Sequence, residues 1–299
     1  MDLNLKPGSY ILAISGGVDS MVLLDLIVKQ YLKQNEYKFM IAHVDHGIRN
    51  DSAKDLFLVE QIAKKNGIDF KFIKLKLGPK TSEAKARQLR YDFLYKILTE
   101  NKADAIITAH HQNDVLETAI FNLIRGTGRK GLTSLKNQPL ILRPLIQYSK
   151  DQILEYAKAN NISWREDSTN LDLKYARNYI RQTLIPKLSE SNKKDLTEII
   201  RDQLKVNDEL DILLNKFLDQ ITEDNLINKK ILNNLPQNMA GEIIASWLRR
   251  NKIIDFDKKT IQRILKGSKI GSTSSKYDVK HNAYILVSKD YLALRYRER

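Results

Sequence analysis

The sequence predicts an α/β fold in which a doubly wound parallel sheet is followed by a smaller, mainly helical C-terminal domain. Three observations carry that expectation. Short runs rich in Ile, Val and Phe alternate with longer amphipathic stretches through the first half of the chain, the pattern of a parallel sheet covered by helices on both faces. A polar knot with two glycines, SGGVDS at 15–20, separates the first apolar run from the second. At 299 residues the chain is too long for one ordinary domain and short for three.

The elements follow in order. YILAI precedes helical MVLLDLIVKQYL; FMIAHV precedes SAKDLFLVEQIAKKNG; DFKFIKL precedes TSEAKARQLRYDFLYKIL; and DAIITA precedes DVLETAIFNLI. Each pair is one strand and its crossover helix. A further short strand is expected in PLILRPL, then the helix SKDQILEYAKAN, a polar loop WREDSTNLDLKY, and ARNYIRQTLIPKL, with Pro186 as a boundary. From Asn192 to about Ile221, the spacing of Leu196, Ile199, Ile200, Leu204, Leu210, Leu213, Leu214, Phe217 and Leu218 fits a long amphipathic connector. Beyond it, NKKILNNLPQNMAGEIIASWLRR and DKKTIQRILKG read as helices, and NAYILVSKDYLALRYRER as strands around a Ser-Lys-Asp turn. The expected domains are residues 1–190, a linker helix at 191–220, and 221–299.

Composition bounds the function. The chain has no cysteine, which excludes a thiolate nucleophile, a persulfide carrier and any Cys-ligated zinc or iron–sulfur centre. A net charge of +14 suits a polyanionic partner such as nucleic acid, although a lysine-rich solvated surface gives the same figure. No apolar run approaches the ~18 residues of a membrane span. The opening MDLNLKPGSY lacks the features of an export signal, so a cytoplasmic protein without membrane association is expected.

The knot at 15–20 falls where a strand passes into a helix, the edge at which open parallel sheets bind ligands. Gly16 and Gly17 let the backbone approach an anion, the first amides of the next helix point outward, and Ser15 and Ser20 add hydroxyl donors. Asp19 is the oddity, because a carboxylate facing polyphosphate is repulsive. It is read as an N-cap and a cation ligand together. No GxxxxGK[ST] motif occurs, so the phosphate-gripping lysine of P-loop nucleotidases is missing. His43 and His46 end one predicted strand, and His110 and His111 another. His110, Asp114 and Glu117 are spaced to share a helix face, where paired acids call for a cation. A metal cluster is open on this pattern; without cysteines, oxygen ligands favour Mg²⁺ over zinc. Gly126, Gly128 and Gly131 fit GxGxxG by letter but follow a helix instead of a strand, so the dinucleotide reading fails.

SGGVDS in this setting resembles the pyrophosphate loop of the ATP pyrophosphatase superfamily, whose adenine-nucleotide-hydrolase-like members cleave ATP between the α and β phosphates. With HVDHGIR at 43–49, HHQNDVLET at 110–118, RGTGRKGL at 125–132, RPL at 143–145, EDSTN at 166–170 and RNYIRQTLIP at 177–186, the chain is similar to the tRNA(Ile)-lysidine synthetase family, in its shorter form. The resemblance implies ATP and Mg²⁺ as cofactors, and L-lysine and a CAU-anticodon tRNA(Ile) as partners, with no protein partner needed. It implies ATP binding by Ser15, Gly16, Gly17, Val18, Asp19, Ser20, His43, His46 and His110, and Mg²⁺ at Asp19 and Asp114. Catalysis is implied for Asp19, Asp114, Glu117, Arg87, Arg90 and Arg177, and tRNA contact for Arg125, Arg129, Lys130 and Arg181, the RGTG segment being a mobile basic loop over the site. The competing readings are a stand-alone ammonia-using synthetase of the same superfamily, which HVDHGIR and HHQNDVLET do not suit, and a non-catalytic tRNA-binding module, for which an intact SGGVDS has no use.

Overall fold

A computed structural model describes residues 1–45, 47, 52–75, 77–78, 81–165, 176–253, 256–280 and 282–297. The described chain divides into two compact units, Met1–Thr127 with Gly131–Ile200, and Gly128–Lys130 with Arg201–Arg299.

The first unit is built on strands β1 (Gly8–Ala13), β2 (Tyr37–Asp45), β3 (Asp69–Lys74), β4 (Ala105–Thr108) and β5 (Ile141–Leu142), all parallel, in the order β3-β2-β1-β4-β5. Side-chain alternation along β1 separates two cores. Leu12 and Ile14 pack with Val22, Leu23, Leu26 and Ile27 of α1 (Val18–Gln30), Val59 of α2 (Ser52–Asn66), and Ile153 of α6 (Lys150–Ala159). Ile11 packs on the other side, with Ile106, against Leu94, Ile97 and Leu98 of α3 (Glu83–Glu100). A strand segment buried on both faces is apolar, which is why the centres of β1, β2 and β4 read as continuous runs, whereas edge strand β3 (DFKFIK) is mostly exposed.

The order reverses at β1, so the crossovers from β1 and β3 leave for opposite faces and open a crevice at the carboxyl ends of β1 and β4. Helix α4 (Gln112–Ile124) starts there, two residues after His110, so the expectation that His110 shares its face is corrected. After α4 come the short α5 (Arg129–Leu132), a 3₁₀ turn (Pro144–Gln147), and α6, whose start is fixed by a Ser149–Gln152 capping box. The polar loop expected from 164 lies outside the described residues at 166–175. The chain re-enters as α7 (Ala176–Tyr179) and continues through a π-helical turn (Ile180–Leu184) and a 3₁₀ turn (Ile185–Lys187) into α8 (Glu190–Ile221). Leu214 and Leu218 of α8 are buried, but Ile199, Leu210 and Leu213 are exposed, so its apolar stripe is wider than the face it buries.

The second unit holds more sheet than expected. Strands β6 (Thr222–Glu223), β7 (Leu226–Asn228), β8 (Ser275–Lys280), β9 (Ala283–Val287) and β10 (Tyr291–Tyr296) form an antiparallel sheet ordered β6-β7-β10-β9-β8. The β9–β10 hairpin turns at Ser288-Lys289-Asp290, with Ser288 Oγ accepting from the Tyr291 amide at 3.0 Å. The β6–β7 hairpin turns on Asp224 and Asn225, both at positive φ (48° and 61°), the pair that a two-residue hairpin demands. Around this sheet pack α9 (Lys229–Asn234), α10 (Gln237–Arg250) and α11 (Lys258–Ile270), with Trp247, Ile243, Ile264 and Ile285 fully buried.

Tyr277 of β8 packs against α11 at Gly267, where an added Cβ would overlap its ring. Gly267→Ala should therefore cost about 1–3 kcal/mol by overpacking, read as a lower urea midpoint for the second unit; an unchanged midpoint would contradict that contact.

Candidate active site

The knot after β1 is held by one hydroxyl. Ser20 Oγ accepts from the amides of Ser15 (3.2 Å) and Gly16 (3.1 Å) and donates to the Gly17 carbonyl (2.8 Å). Ser20 is buried, so its hydroxyl shapes the loop and is not the free donor expected. Gly16 has φ +93°, and a Cβ there would press on Asp55 Cβ at 3.4 Å; both conditions favour glycine. Gly17 is the N-cap of α1, and no side chain caps the helix. The capping role expected of Asp19 is thus corrected. Its Oδ1 instead meets Lys150 Nζ at 2.5 Å, a partner 131 residues away. Lys150 stands at the first turn of α6, where its own amide donates to Asn113 Oδ1 at 3.2 Å.

His43, at the end of β2, uses Nδ1 to bind the Ile14 carbonyl at 2.8 Å, tying the second strand to the loop. Burial pushes this imidazole below its ordinary pKa despite that bond, so the ring is neutral with Nδ1–H donating. His46 lies outside the described residues. Arg165 donates its amide to the Gly16 carbonyl at 3.0 Å and its Nε to Asp55 Oδ1 at 2.6 Å, clasping the loop from the far end of the unit.

At the end of β4, His110 Nδ1 pairs with Thr108 Oγ1 at 2.8 Å. His111 caps α4; its amide donates to Asp114 Oδ2 at 2.9 Å, and its ring stands with Nε2 3.7 Å from Asp19 Oδ1 and 3.5 Å from Asp114 Oδ2. The two acids named for Mg²⁺, Asp19 and Asp114, are thereby brought to one imidazole. Asp114 and Glu117 do share a helix face, and Arg181 bridges them: its Nη2 is 3.4 Å from Asp114 Oδ1 and 2.7 Å from Glu117 Oε2. Arg177 Nη1 holds the other Glu117 oxygen at 2.9 Å. Burial alone would raise the Asp114 carboxyl, but His111, His110, the His111 amide and Arg181 outweigh it and hold the group below its ordinary pKa. The cation that the acid pair requires is therefore present as guanidinium. Among the described residues no cluster of three or more His, Asp or Glu has a metal-binding arrangement.

The PP-loop domain family matches residues 3–188. A tRNA(Ile)-lysidine synthase of Francisella tularensis subsp. holarctica is 30% identical over 302 residues, which take in 97% of this chain and 74% of the relative. The chain belongs to the tRNA(Ile)-lysidine synthase family of PP-loop proteins. The Thermotoga maritima member is 38% identical over 196 residues, 63% of this chain and 47% of its own length, so the chain spans about half of that relative. The Pseudothermotoga lettingae member is 31% identical over 302 residues, 96% of this chain and 66% of its own length. Among solved structures, the U34-tRNA thiolase NcsA from Methanococcus maripaludis shares the fold, with a TM-score of 0.57 at 19% identity over 68% of this chain and 73% of that one.

The remaining residues named from the family resemblance scatter more widely. Arg87 and Arg90 lie on α3, with guanidinium carbons 4.9 and 5.4 Å from the centre of the Tyr91 ring. Arg125, at the end of α4, is exposed and stacks on Phe121 at 5.3 Å. Arg129 and Lys130 do not form a free basic loop. They belong to the second unit, where Arg129 binds Asp211 Oδ1 (2.9 Å), Glu242 Oε2 (3.0 Å) and Asn207 Oδ1 (3.0 Å), and Lys130 binds Asp211 Oδ2 (2.6 Å). Sequence reasoning missed Lys150 and Arg165 as parts of the site; it placed His111 at the strand end beside His110 but gave it no binding or catalytic role, although its place directly before α4 is a local signal.

Two outcomes follow. Ser20→Ala removes the three bonds that its hydroxyl makes to the loop backbone and should destabilise the first unit by about 1–3 kcal/mol, measurable by denaturant titration. Burial, opposed by Asp114 and assisted by Arg143, Arg90 and Arg87, depresses His110 to about 3. Folded His110 then stays neutral while the unfolded chain takes up a proton below pH ~6.5. Stability is fully present above that pH and lost as pH falls from 6.5 towards 3, by at most ~1.4 kcal/mol per pH unit for this group. His110→Gln should flatten that acid limb between pH 7 and 5; an identical slope in the variant would rule the assignment out.

Proposed function

We propose that the chain ligates lysine to C2 of the wobble cytidine in a CAU-anticodon tRNA(Ile), at the expense of ATP cleaved to AMP and pyrophosphate. The observation that carries the reading is the meeting, at the crevice between β1 and β4, of a glycine loop on a helix N-terminus with the Arg-clamped acid pair Asp114 and Glu117. A cytosine carbonyl is a poor electrophile, so an amine adds at C2 only once O2 has become a leaving group. In the first step O2 attacks the α phosphorus and pyrophosphate departs; in the second, the lysine amine adds at C2, AMP leaves with O2, and the amine loses its proton.

The loop amides at Gly17 and the first turn of α1, with Ser15, His43 and His110 about them, suit the triphosphate and nucleoside of ATP. Asp19 and Asp114 fit Mg²⁺, which takes oxygen donors and commonly holds only one or two carboxylates beside phosphate and water. Such an ion would supply charge against the departing pyrophosphate. Glu117 and Asp114 would receive the lysine ammonium, Arg177 and Arg181 setting their orientation, while Arg87 and Arg90 face phosphate or cytidine. Arg125, exposed and without a carboxylate partner among the described residues, suits an RNA phosphate. Arg129 and Lys130, already neutralised by Asp211 and Glu242, suit holding their own segment. Among the described residues no helix is long and apolar enough to cross a membrane.

Incubation with ATP, Mg²⁺, lysine and the CAU-anticodon tRNA should yield AMP and pyrophosphate in equal amounts, with lysidine on nucleoside analysis. Omitting lysine should leave an adenylated tRNA. ADP with orthophosphate, or turnover on a uridine-bearing tRNA, would refute the reading. Asp114→Asn should slow ligation by ~10²-fold or more in a protein that still folds, with a melting temperature lowered because Arg181 and His111 lose a charged partner.

A further inference from the structure

The sheet of the second unit meets its helices with one face. Ile227 of β7, Tyr277 of β8, Ile285 of β9, and Leu292 and Leu294 of β10 pack in one core with residues of α9, α10 and α11. The alternate residues of these strands therefore point away from that core. Register sets them in rows: Asp278, Tyr284 and Arg295 lie side by side across β8, β9 and β10, and Lys276, Leu286 and Ala293 form the next row. Lys276, Asp278 and Arg295 are exposed, and Tyr284 is half-buried. Two cations gather on the Tyr284 ring, Lys276 Nζ at 5.3 Å from its centre and the Arg297 guanidinium carbon at 5.9 Å. Arg297 also pairs with Asp278, both side chains more than half exposed. Lys276 and Arg295 make no ion pair among the described residues. Around this ring, then, three cations stand against one carboxylate, and Leu286 and Ala293 continue the face as an apolar floor.

We propose that this open face binds an unpaired nucleotide of the RNA substrate, the base stacking on Tyr284 and the flanking phosphates meeting Lys276, Arg295 and Arg297. An accessible ring on a sheet, with cations at its margin, offers an unstacked base and its backbone what each needs. Duplex RNA would use the charges but has no base free for the ring. An ion pair as exposed as Arg297–Asp278 is weak, so Arg297 can turn to a phosphate. The inference rests on the ligase reading for the identity of the RNA. Its residues all lie in the second unit, apart from those assigned to the nucleotide and to lysine.

The test uses the full chain and measures its affinity for the CAU-anticodon tRNA(Ile), for a single-stranded RNA oligomer and for an RNA duplex of matched charge. Tyr284→Leu keeps an apolar side chain and removes the aromatic face; it should weaken tRNA and oligomer binding by about 5–100-fold, the span of one base stack. Arg295→Gln alters an exposed side chain that folding does not need. It should weaken both as well, and make the salt dependence shallower by about one phosphate contact. Binding of an ATP analogue that resists cleavage between the α and β phosphates should stay as in the parent; a loss there too would trace the effect to folding and count against the face. Unchanged RNA affinity in Tyr284→Leu or in Arg295→Gln, or a Tyr284→Leu loss equally large on the duplex, overturns the proposal. Variants that leave RNA binding intact but turn a dimer into a monomer in sedimentation would give the face to a second copy of the chain instead. The ligase reading fails separately, through absent lysidine in a protein whose RNA affinity the variants still lower.

Discussion

A carboxylate as deeply buried as Glu117 persists only because two guanidinium groups hold it. Both of its oxygens are taken, one by Arg177 and one by Arg181, and removing one partner from such a buried pair typically costs about 3–5 kcal/mol. The clamp does more than neutralise an acid. It fixes the point at which the chain re-enters after residue 175, so that Ile180 and Ile185 fall against Leu116 of α4, with Leu196 and Ile200 of α8 packed behind them. The beginning of the long helix inherits its position from a charge at the active edge.

The same device recurs along the crevice. Asp19, Asp55 and Glu117 come from α1, α2 and α4, early in the chain, and their partners Lys150, Arg165 and Arg177 come from its later part. Each late cation reaches back to one of the segments that line the carboxyl edge. Parallel strands leave their loops poorly tethered, because every crossover returns to the opposite edge of the sheet. Long-range ion pairs supply the tether here, together with the Arg165 amide on Gly16 and the His43 ring on Ile14.

How far the sequence was legible follows from these facts. The parallel sheet was readable because the centres of β1, β2 and β4 are covered on both faces and so carry unbroken apolar runs. In the second unit, β6 and β8 are short, polar edge strands, TE and SKYDVK, and carry little signal beside the β9–β10 hairpin. SGGVDS announced its loop, since backbone permissiveness and a capping hydroxyl are local properties. The part played by Asp19 was misread because its partner lies 131 residues away and no periodicity connects them. Helical spacing placed Asp114 beside Glu117 correctly but extended the helix too far towards His110. Spacing could not show that the cation for those acids would be arginine, nor that Arg129 and Lys130 were already paired.

The tripeptide Gly128–Lys130 belongs to the second unit although the first unit supplies the chain on either side of it. The division between the units is consequently not a point on the chain, and no single cut separates them. Loss of everything after residue 200 would strand Arg129 and Lys130 without Asp211 and Glu242, leaving two bare cations in a segment shaped to have them covered. A lineage that exchanged the C-terminal unit for another would have to rewrite this inserted stretch as well, so the two pieces of sequence are bound to evolve as one.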